Sequence, residues 1–322
     1  MTLLRCLVPA TVAAFSLLLA ACRPETPPPP PPLRIALDLW AGYYPLLLAE
    51  QQGYLAAEHV RVEISLPQDT HRMLADFAAR RYDAVGVSLG DVVTTTRVRP
   101  DIRMILCTDE SAGADQILGR GPLDGPAQIR GRRIGTALGG FGELLVRRFL
   151  ARHGVRADEV QMVNVDSAAV PALLERGEID IGHTWEPYAA QARAAGWRTW
   201  FTSADTPGLI LDGLMVQMTS LERDAAQWRG LVRAWFRAVD WWRAHPAEGN
   251  RLLEARLQLP PGSVTLDGIR LLGREENRRV FGAGPGGGLP AAAQAYIEFY
   301  ISRGLLARRL GPAELLDARY LE

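Results

Sequence analysis

The sequence predicts an α/β fold in two lobes with a helical C-terminal part, and three observations predict it. Strand-like and helix-like segments alternate from residue 33 to residue 107. The alternation starts again near Asp115 and runs to Thr202. Beyond an extended apolar stretch at 209–218 the chain turns helical. Alternation of this kind implies mostly parallel sheets with helices on their faces.

The elements follow in order. Residues 33–39 read as a strand and 45–53 as a helix closed by Gly53. A second strand covers 60–66, and a helix at 70–80 turns Met73, Leu74 and Phe77 inward. Strands at 83–88 and 102–107 complete the first unit. In the second unit, 131–136, 160–165, 179–183 and 197–202 read as strands, with helices at 142–153 and 170–175. Helices are then expected at 221–244, 247–257 and 291–303. This places lobe 1 at 33–112 and 209–322 and lobe 2 at 113–208, with crossings near 109–116 and 205–212. Ligands of open α/β sheets sit at the carboxyl ends of strands, so the loops there hold the first candidates.

The N-terminus carries its own signal. Arg5 gives a positive start, and 7–20 is almost wholly apolar. A membrane span needs about 20 apolar residues, so 1–21 fits a secretory signal peptide. It ends in Leu19-Ala20-Ala21-Cys22, which resembles the bacterial lipobox; the resemblance implies lipidation of Cys22 as the mature N-terminus. An ordinary signal peptide with an incidental Cys22 is the plainer alternative. Residues 22–32 then form a linker whose run from Pro27 to Pro32 acts as a semi-rigid polyproline II spacer. No later segment is long and apolar enough to span a membrane.

Composition excludes several classes of function. The 36 basic and 36 acidic residues balance, without the basic bias that nucleic-acid binding calls for. Every basic residue is arginine. A P-loop needs a lysine at the phosphates and pyridoxal chemistry needs one for the Schiff base, so neither applies. Only Cys107 remains once Cys22 is lipidated, which leaves no internal disulfide. The five histidines are scattered without ligand spacing, so no metal and no cofactor are expected. The stretch 282–287 satisfies a dinucleotide glycine pattern literally, but it follows polar 274–281, and Pro285 and Pro290 should block a turn into a helix. It reads as a loop. Trp228, Trp235 and Trp242 recur every seven residues and read as the buried face of a helix.

Separated motifs carry a family resemblance. Trp40-Ala41-Gly42-Tyr43-Tyr44-Pro45 follows the first strand, and Gly131-Arg132-Arg133-Ile134-Gly135 opens the second unit. Gly177-Glu178-Ile179-Asp180 leads to Trp185-Glu186-Pro187-Tyr188, and 207–212 follows later. Together they resemble the nitrate, sulfonate, taurine and thiamine-pyrimidine-precursor binding proteins of ABC importers, from about Leu33 to Trp242. The resemblance implies a type II periplasmic binding protein fold, with a ligand cleft between lobes that close by a hinge. It places Trp40, Tyr43, Trp185, Glu186 and Asp212 at that cleft, joined by Gly140 and Phe141 in the glycine loop at a helix start.

The chemistry of these residues leaves alternatives open. Trp40 and Tyr43 could stack a flat ring or hold a cation, or simply pack in the core. Free N–H groups at the helix after Gly139-Gly140 suit an anion. Glu143 in that first turn either caps the helix or fills the seat and attracts an amine. Acids gather at the loop ends: Asp38, Asp91, Asp109, Glu110, Asp115, Glu186 and Asp212. Carboxylates such as Asp109 and Asp115 at a crossing can accept charge-assisted hydrogen bonds from ligand N–H groups. A core or surface role is the plainer reading of His183.

The expectation is a non-catalytic, monomeric binding lipoprotein of the cell envelope, in the periplasm or on the outer face of the cytoplasmic membrane. It would hand a small aminopyrimidine- or amine-type molecule to an ABC permease. A sulfonate, taurine or nitrate binder is the alternative within the family. An enzyme of pyrimidine or menaquinone-pathway type on the same scaffold, or a sensor lipoprotein, is the further alternative.

Overall fold

In the computed structural model the described residues are 30–67, 69–284 and 287–322. Cys22, the signal peptide at 1–21 and the linker as far as residue 29 lie outside them. The first run comprises β1 (Leu33–Leu37), a 3-10 turn at Ala41–Tyr43, α1 (Pro45–Gln51), α2 (Tyr54–Ala57), β2 (Val62–Ser65), α3 (Thr70–Ala78), β3 (Ala84–Ser88), α4 (Leu89–Thr95) and β4 (Ile102–Ser111). The second comprises β5 (Gln116–Arg120), β6 (Arg133–Thr136), α5 (Phe141–Arg152), β7 (Gln161–Asn164), α6 (Val170–Glu175), β8 (Ile181–Thr184), α7 (Tyr188–Ala194) and β9 (Trp197–Thr202). The third is β10 (Leu211–Gln217), α8 (Met218–Arg223), α9 (Ala225–Ala244), α10 (Pro246–Leu257), β11 (Ile269–Leu271), α11 (Arg274–Gly282) and α12 (Gly288–Ser302).

Two sheets result, in the orders β11-β4-β10-β3-β1-β2 and β7-β6-β8-β5-β9. The expectation of mostly parallel sheets holds only for β1 to β3 and for β6 to β8. Both sheets are mixed, because β10 runs antiparallel to β3 and β4, and β5 antiparallel to β8 and β9. The reversed strands lie where the chain passes from one sheet to the other.

The same device joins β1 to β3 in the first sheet and β6 to β8 in the second. In the first, the Arg34 backbone N–H and Nε both donate to Asp83 Oδ2 at 3.0 Å. In the second, Arg133 does the same to Asp180 Oδ2, at 2.9 and 3.0 Å. Two of the sequence motifs, around Arg133 and Asp180, are therefore bonded to each other and fasten β6 to the chain entering β8. They support the lobe from the far end of the strands.

The two crossing segments run side by side. Ser111 Oγ and Ser203 Oγ stand 2.8 Å apart, and Gly113 N–H donates to Ser203 Oγ at 2.7 Å. Ser203 N–H reaches back to the Asp115 carbonyl at 2.9 Å. Small residues with hydroxyls let two backbones approach closely while their polar groups are satisfied.

Helix α9 buries Trp228, Trp235 and Trp242 completely, as the seven-residue spacing predicts. The helix expected at 221–244 is interrupted at Asp224, whose non-helical backbone divides α8 from α9 and whose carboxylate pairs with Arg223. Residues 274–281, read as merely polar, form α11, and its buried Asn277 grips both the N–H and the carbonyl of Cys107 at 2.8 Å. Glycines 282–287 follow a helix rather than a strand, so the dinucleotide context is lacking. Pro290 does not block a helix: it sits in the first turn of α12, where no N–H donor is required.

Candidate functional site

One row of polar residues crosses the first sheet. Asp212 on β10 lies opposite Ser88 at the end of β3 and opposite Asp109 on β4. Asp38 follows β1 directly, at the same edge. The row depends on a bulge, because the register between β10 and β4 shifts between Asp212 and Gly213. Asn277 takes up the Cys107 peptide there, and Leu272 N–H bonds the Thr108 carbonyl at 2.9 Å. Bulges of this kind redirect side chains beside binding sites.

Asp109 is fully buried and Asp212 nearly so. Trp40 Nε1 donates to Asp109 Oδ1 at 3.0 Å, and Thr108 Oγ1 donates to Asp109 Oδ2 at 2.8 Å. The Tyr43 hydroxyl donates to Asp212 Oδ1 at 3.2 Å. The two carboxyl-bearing residues are directly opposed across β4 and β10. Burial pushes the Asp109 carboxyl up to about 7, against the hydrogen bonds from Thr108 and Trp40. Burial and then the Asp109 charge push Asp212 well above the carboxylate range. Gly42 is required here: a Cβ would fall 1.8 Å from Asp109 Oδ2 and 2.6 Å from Trp40 Nε1.

The second lobe supplies an aromatic wall. Phe141, His183 and Trp185 meet with ring centroids 5.8–6.2 Å apart, and Tyr188 lies 6.5 Å from Trp185. Trp185 packs against the first lobe's core, which contains Trp40 and Tyr43. His183 is buried between Asp115 Oδ1, 3.1 Å from Nε2, and Thr136 Oγ1, 3.2 Å from Nδ1. The Asp115 charge is felt by both Asp109 and Asp212, which links the two halves of the site.

Of the residues that the sequence singles out, Trp40, Tyr43, Asp109 and Asp212 form one bonded cluster, and Asp115, Phe141 and Trp185 meet around His183. Gly140 caps α5 with its backbone alone, leaving the first N–H groups of that helix without a side-chain acceptor. Glu186 stands apart. Its carboxylate is held by Arg193 at 2.8 Å, by Gln116 at 3.1 Å and by Ala190 N–H at 3.0 Å, so it braces α7 rather than joining the row. Glu143 accepts from Gly139 N–H at 2.9 Å and from Arg147 at 2.8 Å, and it also pairs with Arg303 from beyond α12 at 2.9 Å. It is therefore an anchor for the glycine loop and not an occupant of the anion seat. Sequence reasoning passed over Thr108, Thr136 and Asn277. No local pattern distinguishes them, since their roles come from strand register.

Several acids elsewhere are held by arginine, as Asp83, Asp101, Glu110, Glu143 and Asp180 show, whereas buried Glu254 takes only the Gly262 and Val264 N–H groups among the described residues. Asp38, Asp109 and Asp212 have no ion-pair partner among the described residues, and the Asp115 carboxylate bonds His183. No group of three or more His, Cys, Asp or Glu among the described residues could hold a metal ion. The arrangement can receive hydrogen-bond donors on one side and a flat or cationic group between aromatic faces on the other.

Comparison with known proteins fits this geometry. The family model described as NMT1/THI5 like matches residues 40–249, well over half of the chain. The fold is similar to the periplasmic aliphatic sulphonate binding protein SsuA from Escherichia coli, with a TM-score of 0.73, 16% identity, and coverage of 89% of this chain and 92% of that one. It is also similar to the desulfurization enzyme DSZB in complex with biphenyl-2-sulfinic acid, with a TM-score of 0.67, 16% identity, and coverage of 89% and 97%. A protein of Brucella abortus with a provisional binding-protein name is 27% identical over 74 residues, which is 23% of this chain and 23% of that relative. The resemblance carried by the sequence motifs is borne out, as is the two-lobed α/β fold. The chain belongs to the NMT1/THI5-like family.

Proposed function

We propose that the chain is a solute-binding protein that captures a small amino-bearing molecule outside the cytoplasmic membrane. The single observation that carries this reading is the buried pair Asp109 and Asp212, with half-buried Asp38 beside it, which has no arginine partner among the described residues and is bonded to Trp40 and Tyr43, against whose core Trp185 packs. Buried carboxylates left without a cation are costly unless a ligand supplies the donors. An aminopyrimidine or an alkylamine meets that need, through N–H donors at the acids and stacking or cation–π contact at the rings. Lipid attachment at Cys22, a monomeric state and delivery to an ABC permease complete the proposal, with lobes at 33–112 plus 209–322 and at 113–208.

A second reading has one observation behind it. The N-terminus of the twelve-residue helix α5 has no side-chain cap, and such an end suits a sulfonate or nitrate. Catalysis is not proposed. Cys107 is buried and donates to the Asp109 carbonyl at 3.7 Å, and burial with the neighbouring Asp109 charge pushes its thiol well up, so a thiolate nucleophile is disfavoured.

Thermal-shift and calorimetric titration with aminopyrimidines, alkylamines, taurine, alkanesulfonates and nitrate tests the reading. Amine-type compounds should raise the melting temperature, since a ligand that binds only the folded state stabilises it. A simple sulfonate or nitrate that binds equally well to the Asp109→Asn and Asp212→Asn variants would overturn it.

A further inference from the structure

Asp91, Tyr296 and Tyr300 form a polar cluster that the site described above leaves unused. Ser88 Oγ donates to Asp91 Oδ2 at 2.6 Å, and the other carboxylate oxygen takes no hydrogen bond among the described residues. Helix α12 lies across α4 here: a Cβ on Gly90 would stand 2.9 Å from the Tyr300 hydroxyl and 3.0 Å from the Tyr296 ring. Tyr296 is 0% and Tyr300 1% exposed, yet neither hydroxyl has a hydrogen-bond partner among the described residues. Burial first, and then neighbouring charges that include Asp91, raise both phenols, so both keep their protons. Two orphaned hydroxyls beside one under-used carboxylate are uncommon, because native interiors satisfy nearly all such groups.

We propose that Asp91, Tyr296 and Tyr300 form a second amino-group seat, so that the ligand is an organic dication of the α,ω-diamine class. This rests on the amine reading given above, with the first amino group at Asp109 and Asp212. An ammonium has three N–H donors, and the cluster offers three acceptors: the free Asp91 oxygen and the two tyrosine oxygens. Register sets the spacing. Ser88, bonded to Asp91, lies opposite Asp212, and Asp212 lies opposite Asp109. Two strand spacings make about 10 Å, which a chain of about four to six carbons bridges with a charge-assisted contact at each end.

The test is calorimetric titration of the protein with 1,4-diaminobutane, 1,5-diaminopentane and 1-butylamine. The diamines should bind at least about tenfold more tightly than the monoamine, equal to about 1.4 kcal/mol. Asp91→Asn should reduce that ratio below about threefold while leaving 1-butylamine affinity unchanged. Tyr300→Phe, which removes an unpartnered hydroxyl without changing volume, should weaken diamine binding about fivefold and leave the melting temperature of the free protein unchanged or higher. Equal affinity for diamine and monoamine overturns the second seat and leaves the amine reading standing. Failure of every amine to bind overturns both. Diamine affinity that survives Tyr300→Phe and Asp91→Asn intact assigns the cluster to bound water.

Discussion

Asp109 and Asp212 are directly opposed on neighbouring strands, with Trp40 donating to one and Tyr43 to the other and no ion-pair partner for either among the described residues. Two adjoining buried carboxyls cannot both ionise readily, so the pair titrates as a unit. A proton thus stands where a cationic ligand would otherwise place its charge.

Ligand binding should therefore be linked to pH. A cationic ligand favours the ionised Asp109 carboxylate, so its affinity should rise as pH rises through about 7, the value to which Asp109 is pushed. One displaced proton gives a slope of about tenfold per pH unit on the acid side. Calorimetry between pH 5.5 and 8.5, in buffers of different ionisation enthalpy, should also register proton release. Affinity that falls with rising pH would point instead to an anionic ligand.

The same pair should weaken the free protein at alkaline pH. Its folded pKa lies above the unfolded value of 3.8, so the folded state holds more protons between about 4 and 7. Stability from this source is complete below the unfolded pKa and is lost as pH rises through the folded one. Asp109→Asn keeps a hydrogen-bonding side chain without the ionisation. It should raise stability at pH 8 by roughly 1–3 kcal/mol and change little at pH 4. Urea unfolding at the two pH values checks this, and a variant less stable than the parent at pH 8 would count against a raised Asp109 carboxyl.

How far the site was legible in the sequence follows from what positions each residue. Trp40, Tyr43 and Trp185 lie in short motifs that a linear reading can find. The acids at the strand ends were visible as a group, because an alternating fold places its loops there. Their sorting was not. Glu186 and Asp212 look equivalent in the chain, yet Arg193 neutralises one and no described residue pairs its charge with the other. Bulges and crossing strands decide such partners, and no local pattern records them. The helices α4 and α11 escaped for different reasons. The first is a short apolar stretch directly after a strand, and the second is a polar stretch fixed by its buried Asn277.

Gly42 and Trp40 should respond differently to small changes. Gly42→Ala drives a methyl group into Asp109 Oδ2 and should abolish binding, although the far-UV circular dichroism remains that of the parent. Trp40→Phe keeps the ring but removes the donor to Asp109 Oδ1. Losing one partner of a buried acceptor costs about 1–3 kcal/mol, so the melting temperature should fall by several degrees. The loss should be greater at pH 8 than at pH 5, because the ionised carboxylate needs the donor more. Equal losses at both values would argue that Trp40 acts by packing alone.

The glycine loop is tied to the opposite lobe through Glu143, and that tie should govern ligand release. Glu143 is almost wholly buried, holds the loop through Gly139 N–H, and is shared between Arg147 on its own helix and Arg303 beyond α12. Arg303→Gln leaves Glu143 paired with Arg147, so the second lobe should keep its stability to within about 1 kcal/mol. What it removes is a bridge between lobes. Changes of this kind appear mainly in dissociation rates. Stopped-flow measurements should show release about three- to tenfold faster with association little altered. A variant with parental dissociation kinetics would show that the ion pair holds the loop without holding the lobes together.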